Sequence, residues 1–141
     1  MLQRLTIILA LTLCCCNLKA QQGLHINEVF LGRIVPQKQM VEVKVKGKAV
    51  SKYRLSYYHS VRFGADKPQI DTIEGLINKD MAGSEQVSRS KSTLIFSLPK
   101  AGKNNRYLCY LKKKVGYSAI ITLVYMEGQV ESIAELRKLI K

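Results

Sequence analysis

The stretch Ser118–Met126 constrains the fold most, because it is apolar at almost every position. A strand with one solvated face alternates apolar and polar residues, whereas this stretch is apolar at odd and even positions alike. Ala119, Ile121 and Leu123 would point to one face, and Ile120 and Val124 to the other. We therefore predict that Ser118–Met126 is a strand in the interior of a sheet.

Alternation of apolar and polar residues predicts further strands on both sides of a helix. In the clearest of them Val41, Val43 and Val45 alternate with charged residues, which predicts one buried and one solvated face. Short connections at 99–105 and 113–116 predict hairpins between the last three strands. The additional predicted strands are Met40–Lys46, Tyr53–Phe63, Thr93–Leu98 and Arg106–Lys112.

Two helices are predicted from apolar stripes and end signals. The first runs from Pro68 to about Ala82 and is ended by Gly83. Asp66, Asp71 and Glu74 are explained by the chemistry of the helix start. The second begins at the capping box Ser132–Glu135. The apolar stripes comprise Ile70, Ile73, Leu76 and Ile77 in the first helix, and Ile133, Leu136 and Ile140 in the second.

The order of elements is therefore β-β-α-β-β-β-α after a short lead-in. This order predicts an α+β fold, a mostly antiparallel sheet of about five strands with two helices packed on one face. We divide the chain into a signal peptide (1–20), an N-terminal lead-in (21–39) and a single α+β domain (40–141).

The first twenty residues have the three parts of a secretory signal peptide. Arg4 is followed by the apolar run Leu5–Cys16 and then by Ala20 at the expected cleavage site. The run is too short to span a bilayer. Two alternatives remain open: the leader is retained as an anchor, or one of Cys14–Cys16 is acylated. Acylation is disfavoured because lipoprotein processing prefers Gly, Ala or Ser directly before the cysteine, and Leu13, Cys14 and Cys15 stand there instead.

Removal of the leader changes the chemistry of the remaining chain. It leaves 121 of 141 residues and lowers the formal charge from +13 to +11, because Arg4 and Lys19 are lost. Cys109 is then the one cysteine left, so no intramolecular disulfide can form and the fold must depend on its hydrophobic core.

Catalytic, metal and cofactor patterns are weak in this sequence. His25, His59 and Cys109 are too far apart in the chain for a zinc motif. No nucleophile elbow or glycine-rich phosphate loop is present. We therefore predict no cofactor, no metal and no enzymatic activity, and we keep a small hydrolase that uses His59 or Cys109 as an alternative.

Clustered positive charge is the feature that points to a binding function. Lys112, Lys113 and Lys114 form one cluster. Lys100, Lys103 and Arg106 form a second, at the opposite end of the same predicted strand. Such clusters attract anions, and export makes lipid headgroups or acidic glycans better partners than nucleic acid. A purely solvated surface is the simpler reading, because lysines also protect strand edges.

Four segments and the leader resemble a known family. Together they are similar to a family of small exported proteins from Bacteroides-type bacteria, catalogued as a domain of unknown function. The resemblance implies a periplasmic or secreted protein in a Gram-negative envelope, and it implies no site residues. The segments are Ala49–Ser56, Asn105–Tyr110, Tyr125–Gly128 and Glu135–Lys138.

The functional expectation is a non-enzymatic exported envelope domain that binds or docks onto an anionic partner or surface. An interaction with another envelope protein is the alternative within the binding class.

Overall fold

One antiparallel sheet organises the structure. The computed structural model describes residues 23–139, in which six strands are ordered β1-β2-β6-β5-β4-β3 with every neighbour antiparallel. β6 pairs with β2 on one side and β5 on the other, which confirms that Ser118–Met126 is an interior strand. The strands are β1 (Val41–Lys46), β2 (Leu55–Ala65), β3 (Val87–Arg89), β4 (Thr93–Ala101), β5 (Asn104–Val115) and β6 (Ser118–Gly128).

Short helices complete this part of the chain. They are α1 (Asn27–Phe30), a 3₁₀ turn (Gln37–Gln39), α2 (Lys48–Ser51), α3 (Lys67–Met81) and α4 (Ile133–Leu139). The α+β class is confirmed, but the sheet has six strands rather than about five. The additional strand, β3, is only three residues long, which is too short to show alternation in the sequence. None of the helices in 23–139 is long and apolar enough to cross a membrane.

The two main helices lie on opposite faces of the sheet, so the prediction that both pack on one face is wrong. α3 packs through Ile73 and Ile77 into the core that contains Ile121 of β6. α4 packs through Ile133 into a second core, which contains Val124. The physical reason is that β6 is apolar on both faces, so each face needs cover. We call the side covered by α3 the helix face and the opposite side the open face.

The N-terminal lead-in belongs to the core of the helix face. Ile26, Val29, Phe30 and Val35 are buried there. The Asp80 carboxylate near the end of α3 accepts hydrogen bonds from the backbone N–H groups of His25 (2.8 Å) and Ile26 (2.7 Å). This carboxylate ties the lead-in to α3, because it satisfies two donors just before α1.

The start of α3 is capped by Asp66, one of the three acidic residues that the sequence assigns to the helix start. Asp66 is the N-cap and accepts from the backbone N–H of Gln69, while the Gln69 side chain accepts from the backbone N–H of Asp66. Asp71 lies one turn further along, near Lys67, with 3.6 Å between the charged atoms. Asp66 lies before Pro68, which is compatible with the first helical turn but not with its interior.

Strand β1 is exposed on both faces, which corrects the expectation of a buried valine face. Val41 and Val43 keep 68% and 43% of their surface exposed. Val43 pairs with Ser60 of β2, which pairs in turn with Val124 of β6 in the second core. Residues directly opposite each other lie on the same face of a sheet, so the valines of β1 point to the open face. No helix among the described residues covers that end of the open face, so β1 remains a solvated edge strand.

Gly128 lies where two backbone segments approach closely. It pairs with Leu55 of β2. A Cβ atom at residue 128 would lie 2.7 Å from Leu55 Cα and against the carbonyl oxygen of Arg54. The same carbonyl accepts from the N–H of Gln129 at 2.9 Å. A side chain at residue 128 would therefore separate the segment that follows α2 from the segment that leads to α4.

Substitution of two glycines should give opposite effects on stability. G128A forces backbone apart and should lower the free energy of unfolding by at least about 2 kcal/mol. G75A in α3, where the added Cβ meets open space, should raise it by up to about 1 kcal/mol through helix propensity. Chemical denaturation of both variants measures this, and equal effects of the two substitutions would contradict the packing argument.

Loss of the Asp80 carboxylate should loosen the lead-in. D80A leaves two backbone donors without their charged acceptor and should cost about 2 kcal/mol. The matched variant D71A removes an exposed carboxylate (64% of its side chain) and should change stability by less than about 0.5 kcal/mol. Denaturation measures the difference, and faster amide exchange at 25–30 in D80A alone would locate it.

Candidate functional site

The two basic clusters lie at opposite ends of β5, as the sequence predicts. Each flanks a two-residue hairpin turn, Gly102–Lys103 between β4 and β5 and Gly116–Tyr117 between β5 and β6. Both glycines have positive φ, 60° and 62°, and the residues that follow them do not. This pattern is that of type II′ turns, which need glycine at the first turn position.

Of the two turns, only the β5–β6 turn carries large exposed hydrophobic side chains. Tyr117 is fully exposed and Val115 keeps 50% of its surface exposed. The β4–β5 turn has exposed Lys100 and Lys103, but no large exposed hydrophobic residue accompanies them. We call the segment 112–118, with Tyr117 at its end, the β5–β6 tip.

Strand alternation distributes the lysines of the β5–β6 tip over both faces of the sheet. Lys112 and Lys114 lie on the helix face with Tyr110, and Lys113 lies on the open face with Cys109. Lys113 and Lys114 are exposed. The three lysines therefore surround the tip rather than form a row along one side.

Lys112 is paired within the fold. Its Nζ atom lies 2.8 Å from Oε1 of Glu74 on α3. About a third of each side chain is exposed, so the pair is partly desolvated and ties the strand to the helix. Lys112 thus contributes less free charge to the tip than Lys113 and Lys114.

Helix α3 brings a further lysine to the same place. A hollow of about 320 Å³ is lined by Lys67, Lys114 and Tyr117, together with the carboxylates of Asp71 and Glu74. The Lys67 side chain is 80% exposed. The tip therefore has cations on both of its sides and an aromatic ring at its end.

Arg106 of the second cluster serves the fold. It lies directly opposite Glu127 of β6 and its Nε–H donates to the carbonyl oxygen of Pro99. Glu127 also accepts from the Asn104 side-chain amide (3.0 Å) and from the Tyr125 hydroxyl (2.9 Å). The Arg106 side chain is therefore engaged within the fold, although it lines a hollow of about 300 Å³ together with Lys100. The two clusters lie at opposite ends of β5, so the six predicted residues do not form one site.

His59 is buried on the helix face beside a carboxylate. Its Nε2 atom lies 2.9 Å from Oε2 of Glu42 on the edge strand, and its ring packs 4.6 Å from that of Phe30. Burial lowers the pKa of His59, Glu42 partly opposes this effect, and Lys44 adds to it. His59 is therefore neutral at pH 7, bound to the carboxylate and without access from solvent.

Cys109 lies on the open face, across the sheet from His59. It lines a shallow apolar groove of about 550 Å³ with Tyr58, Leu111 and Val124 beside Arg137. Burial raises the pKa of the Cys109 thiol to about 11, against the opposing effect of Arg137. The thiol stays protonated at neutral pH, and the sheet separates it from His59, so these residues do not form a nucleophile–base pair.

A second polar hollow lies between α3 and β4. It has a volume of about 330 Å³ and is lined in part by Glu74, Arg89 and Tyr110. The Tyr110 hydroxyl is buried there and has no hydrogen-bond partner among the described residues. Burial, then the charge of Glu74, raises the pKa of this phenol, which stays neutral. Residues 23–139 contain no group of three metal-ligating side chains.

Comparison with known proteins gives a family. Residues 13–140 match a family of unknown function, DUF6108. The chain belongs to this family. No curated protein and no solved structure matches it. Membership of DUF6108 agrees with the resemblance to a domain of unknown function, whereas the Bacteroides origin and export stay predictions.

Sequence reasoning missed Lys67 and the particular position of Tyr117. Lys67 reaches the tip only because α3 packs on the helix face, and no local pattern in the sequence signals that. Tyr117 could have been found, because Val115-Gly116-Tyr117-Ser118 has the length and glycine position of a two-residue turn. The predicted cleavage site and Cys14–Cys16 lie outside the described residues.

The environment of His59 predicts opposite responses to two neighbouring substitutions. E42Q removes the carboxylate that raises the pKa of His59, so this pKa should fall further, whereas K44Q should raise it. Because folding lowers the pKa below the ordinary value of 6.5, protonation favours the unfolded chain, and stability should fall as pH drops below about 6.5. NMR titration of His59 measures the pKa, and shifts of the same sign in both variants would contradict this account.

Proposed function

We propose that this chain is a non-enzymatic exported domain that docks onto an anionic lipid surface through the β5–β6 tip. One observation carries the proposal: a fully exposed tyrosine at the end of a hairpin that is surrounded by lysines. The export signal predicted in residues 1–20 supplies the setting, in which lipid headgroups are abundant anions.

The chemistry of the tip matches that of a membrane interface. Tyrosine has an apolar ring and a polar hydroxyl, and such side chains favour the headgroup level of a bilayer. Val115 adds apolar surface beside Tyr117. Lysines close to an anionic membrane each contribute about 1 kcal/mol of attraction. Lys113 and Lys114 are placed to make that contribution while Tyr117 enters the interface. Lys67 lies beside them in an exposed pair with Asp71.

The opposite end of β5 supports a specific role for this tip. The β4–β5 turn has the same turn type and two exposed lysines, but it has no exposed tyrosine or valine. General basicity would make the two ends equivalent. The difference between them provides a control within one molecule.

The hydrolase alternative receives no support from the positions of its residues. His59 is buried against Glu42, and Cys109 lies on the other face with its pKa raised to about 11. A binding role for the surface therefore accounts for more of the structure than a role for these two side chains.

Tryptophan fluorescence tests insertion of the tip, because the chain contains no tryptophan. In Y117W, emission should shift to shorter wavelength on addition of vesicles that contain phosphatidylglycerol, and it should not shift with pure phosphatidylcholine. V87W, at an exposed position on β3 that pairs with Phe96 in the middle of β4, far from the tip, should not respond to either. An equal shift in both variants, or none in Y117W, would overturn the proposed orientation.

Charge removal tests the lysines. K113Q/K114Q should weaken binding to phosphatidylglycerol vesicles about tenfold or more in 0.1 M salt, and high salt should abolish the difference. K100Q/K103Q removes the same charge at the other end of β5 and should weaken binding much less. Equal losses in the two double variants would show that only net charge matters, and binding insensitive to salt would reject the proposal.

A further inference from the structure

We propose that two copies of this chain pair through their β1 strands, antiparallel and in one register, with Val43 at the two-fold axis. This pairing would join two sheets edge to edge. It concerns a different surface from the β5–β6 tip and stands independently of lipid docking.

The β1 edge is open to a partner. β1 is the last strand on its side of the sheet, and five of its six residues are exposed, with the sixth, Val45, partly buried. The opposite edge strand, β3, has only three residues. An exposed strand of six residues carries a row of unpaired backbone groups that another strand can complete.

The hydrogen bonds between β1 and β2 show which β1 residues direct their backbone N–H and C=O groups to the free edge. The N–H of Gly47 donates to the carbonyl oxygen of Ser56 on β2 at 3.1 Å. Antiparallel ladders alternate, so the odd-numbered residues of β1 direct their N–H and C=O groups toward β2. Glu42, Lys44 and Lys46 therefore direct theirs to the free edge. A second β1 strand must place even-numbered residues opposite even-numbered residues.

Charge selects among the registers that this rule allows. With Glu42 opposite Glu42, or Lys44 opposite Lys44, like charges face each other at the axis, which destabilises a pair. With Val43 at the axis, Glu42 of each copy lies opposite Lys44 of the other. Lys46 of the other copy then lies diagonal to Glu42. This register pairs opposite charges twice and places no like charges directly opposite each other.

The valines on the open face favour the same register. In this register Val43 faces Val43, and Val41 faces Val45 of the other copy. Val41 and Val43 are 68% and 43% exposed in the single chain, so pairing covers apolar surface that the fold leaves uncovered. β-branched side chains directly opposite each other are favourable cross-strand pairs.

A proline tests the edge itself. K44P removes an outward-facing donor and leaves the bonds from β1 to β2 in place, so it should abolish dimers and keep the fold. Sedimentation velocity over a range of concentrations should show a dimer for the parent chain and a monomer for K44P. Circular dichroism checks the fold. A parent chain that stays monomeric at high concentration would overturn the proposal.

Charge exchange tests the register without a backbone change. K44E places glutamates opposite each other and should weaken the dimer at least tenfold, whereas E42K/K44E restores opposite charges and should recover it. Phosphatidylglycerol vesicle binding by the E42K/K44E variant reports the tip separately, since that variant leaves the net charge unchanged. E42K also removes the carboxylate that contacts His59, so circular dichroism checks the fold of this variant too. A folded E42K/K44E that fails to recover the dimers lost in K44E would reject this register.

A cysteine at the axis gives a direct measure of the contact. Val43 faces itself in a non-hydrogen-bonded pair, where Cα atoms lie about 4.5 Å apart, within the range that a disulfide spans. V43C should form a disulfide-linked dimer on oxidation, beyond the background of the parent chain. K44C should not, and efficient linkage through K44C would indicate the register with Lys44 at the axis and overturn the one proposed.

Discussion

The two-sided apolar character of β6 is the constraint on which the rest of the structure depends. Ile121 and Leu123 are buried on the helix face, and Val124 and Met126 on the open face. A strand of this kind requires neighbours on both sides and cover on both faces. The lead-in and α3 provide the cover on one face, and α2 with α4 provides part of it on the other.

Incomplete cover of the open face gives the molecule its available surfaces. The seven residues of α4 in the described part of the chain leave the groove beside Cys109 accessible, together with Val41 and Val43 of β1. The β5–β6 tip lies at one end of the sheet, with Tyr117 fully exposed. Pairing through β1 would place the open faces of two copies on one side and their tips at opposite ends of the combined sheet, because the strands of the two copies run in opposite directions.

Local patterns predicted individual elements better than their arrangement. α3 lies within one residue of the predicted helix, and all five predicted strands are present. Three of them lie wholly within the observed strands, and the other two begin one or two residues later than predicted. Leu55 shows where the pattern fails: a register irregularity between Leu55 and Tyr57 moves it into the core of the open face, although alternation assigns it to the face of His59. Asp66, Asp71 and Glu74 were all assigned to the start of the helix, and only the structure shows that Asp66 is the N-cap.

The sequence by itself determined the interior position of β6, the two helices and the two basic ends of β5, since these follow from periodicity and turn chemistry along a few neighbouring residues. Only the tertiary structure decided that α3 and α4 lie on opposite faces, that Lys112 is neutralised by Glu74, and that Lys67 joins Tyr117. Those outcomes depend on which face of the sheet each helix packs against. A pattern of period two or 3.6 says that a face is apolar, but it does not say which layer will cover it.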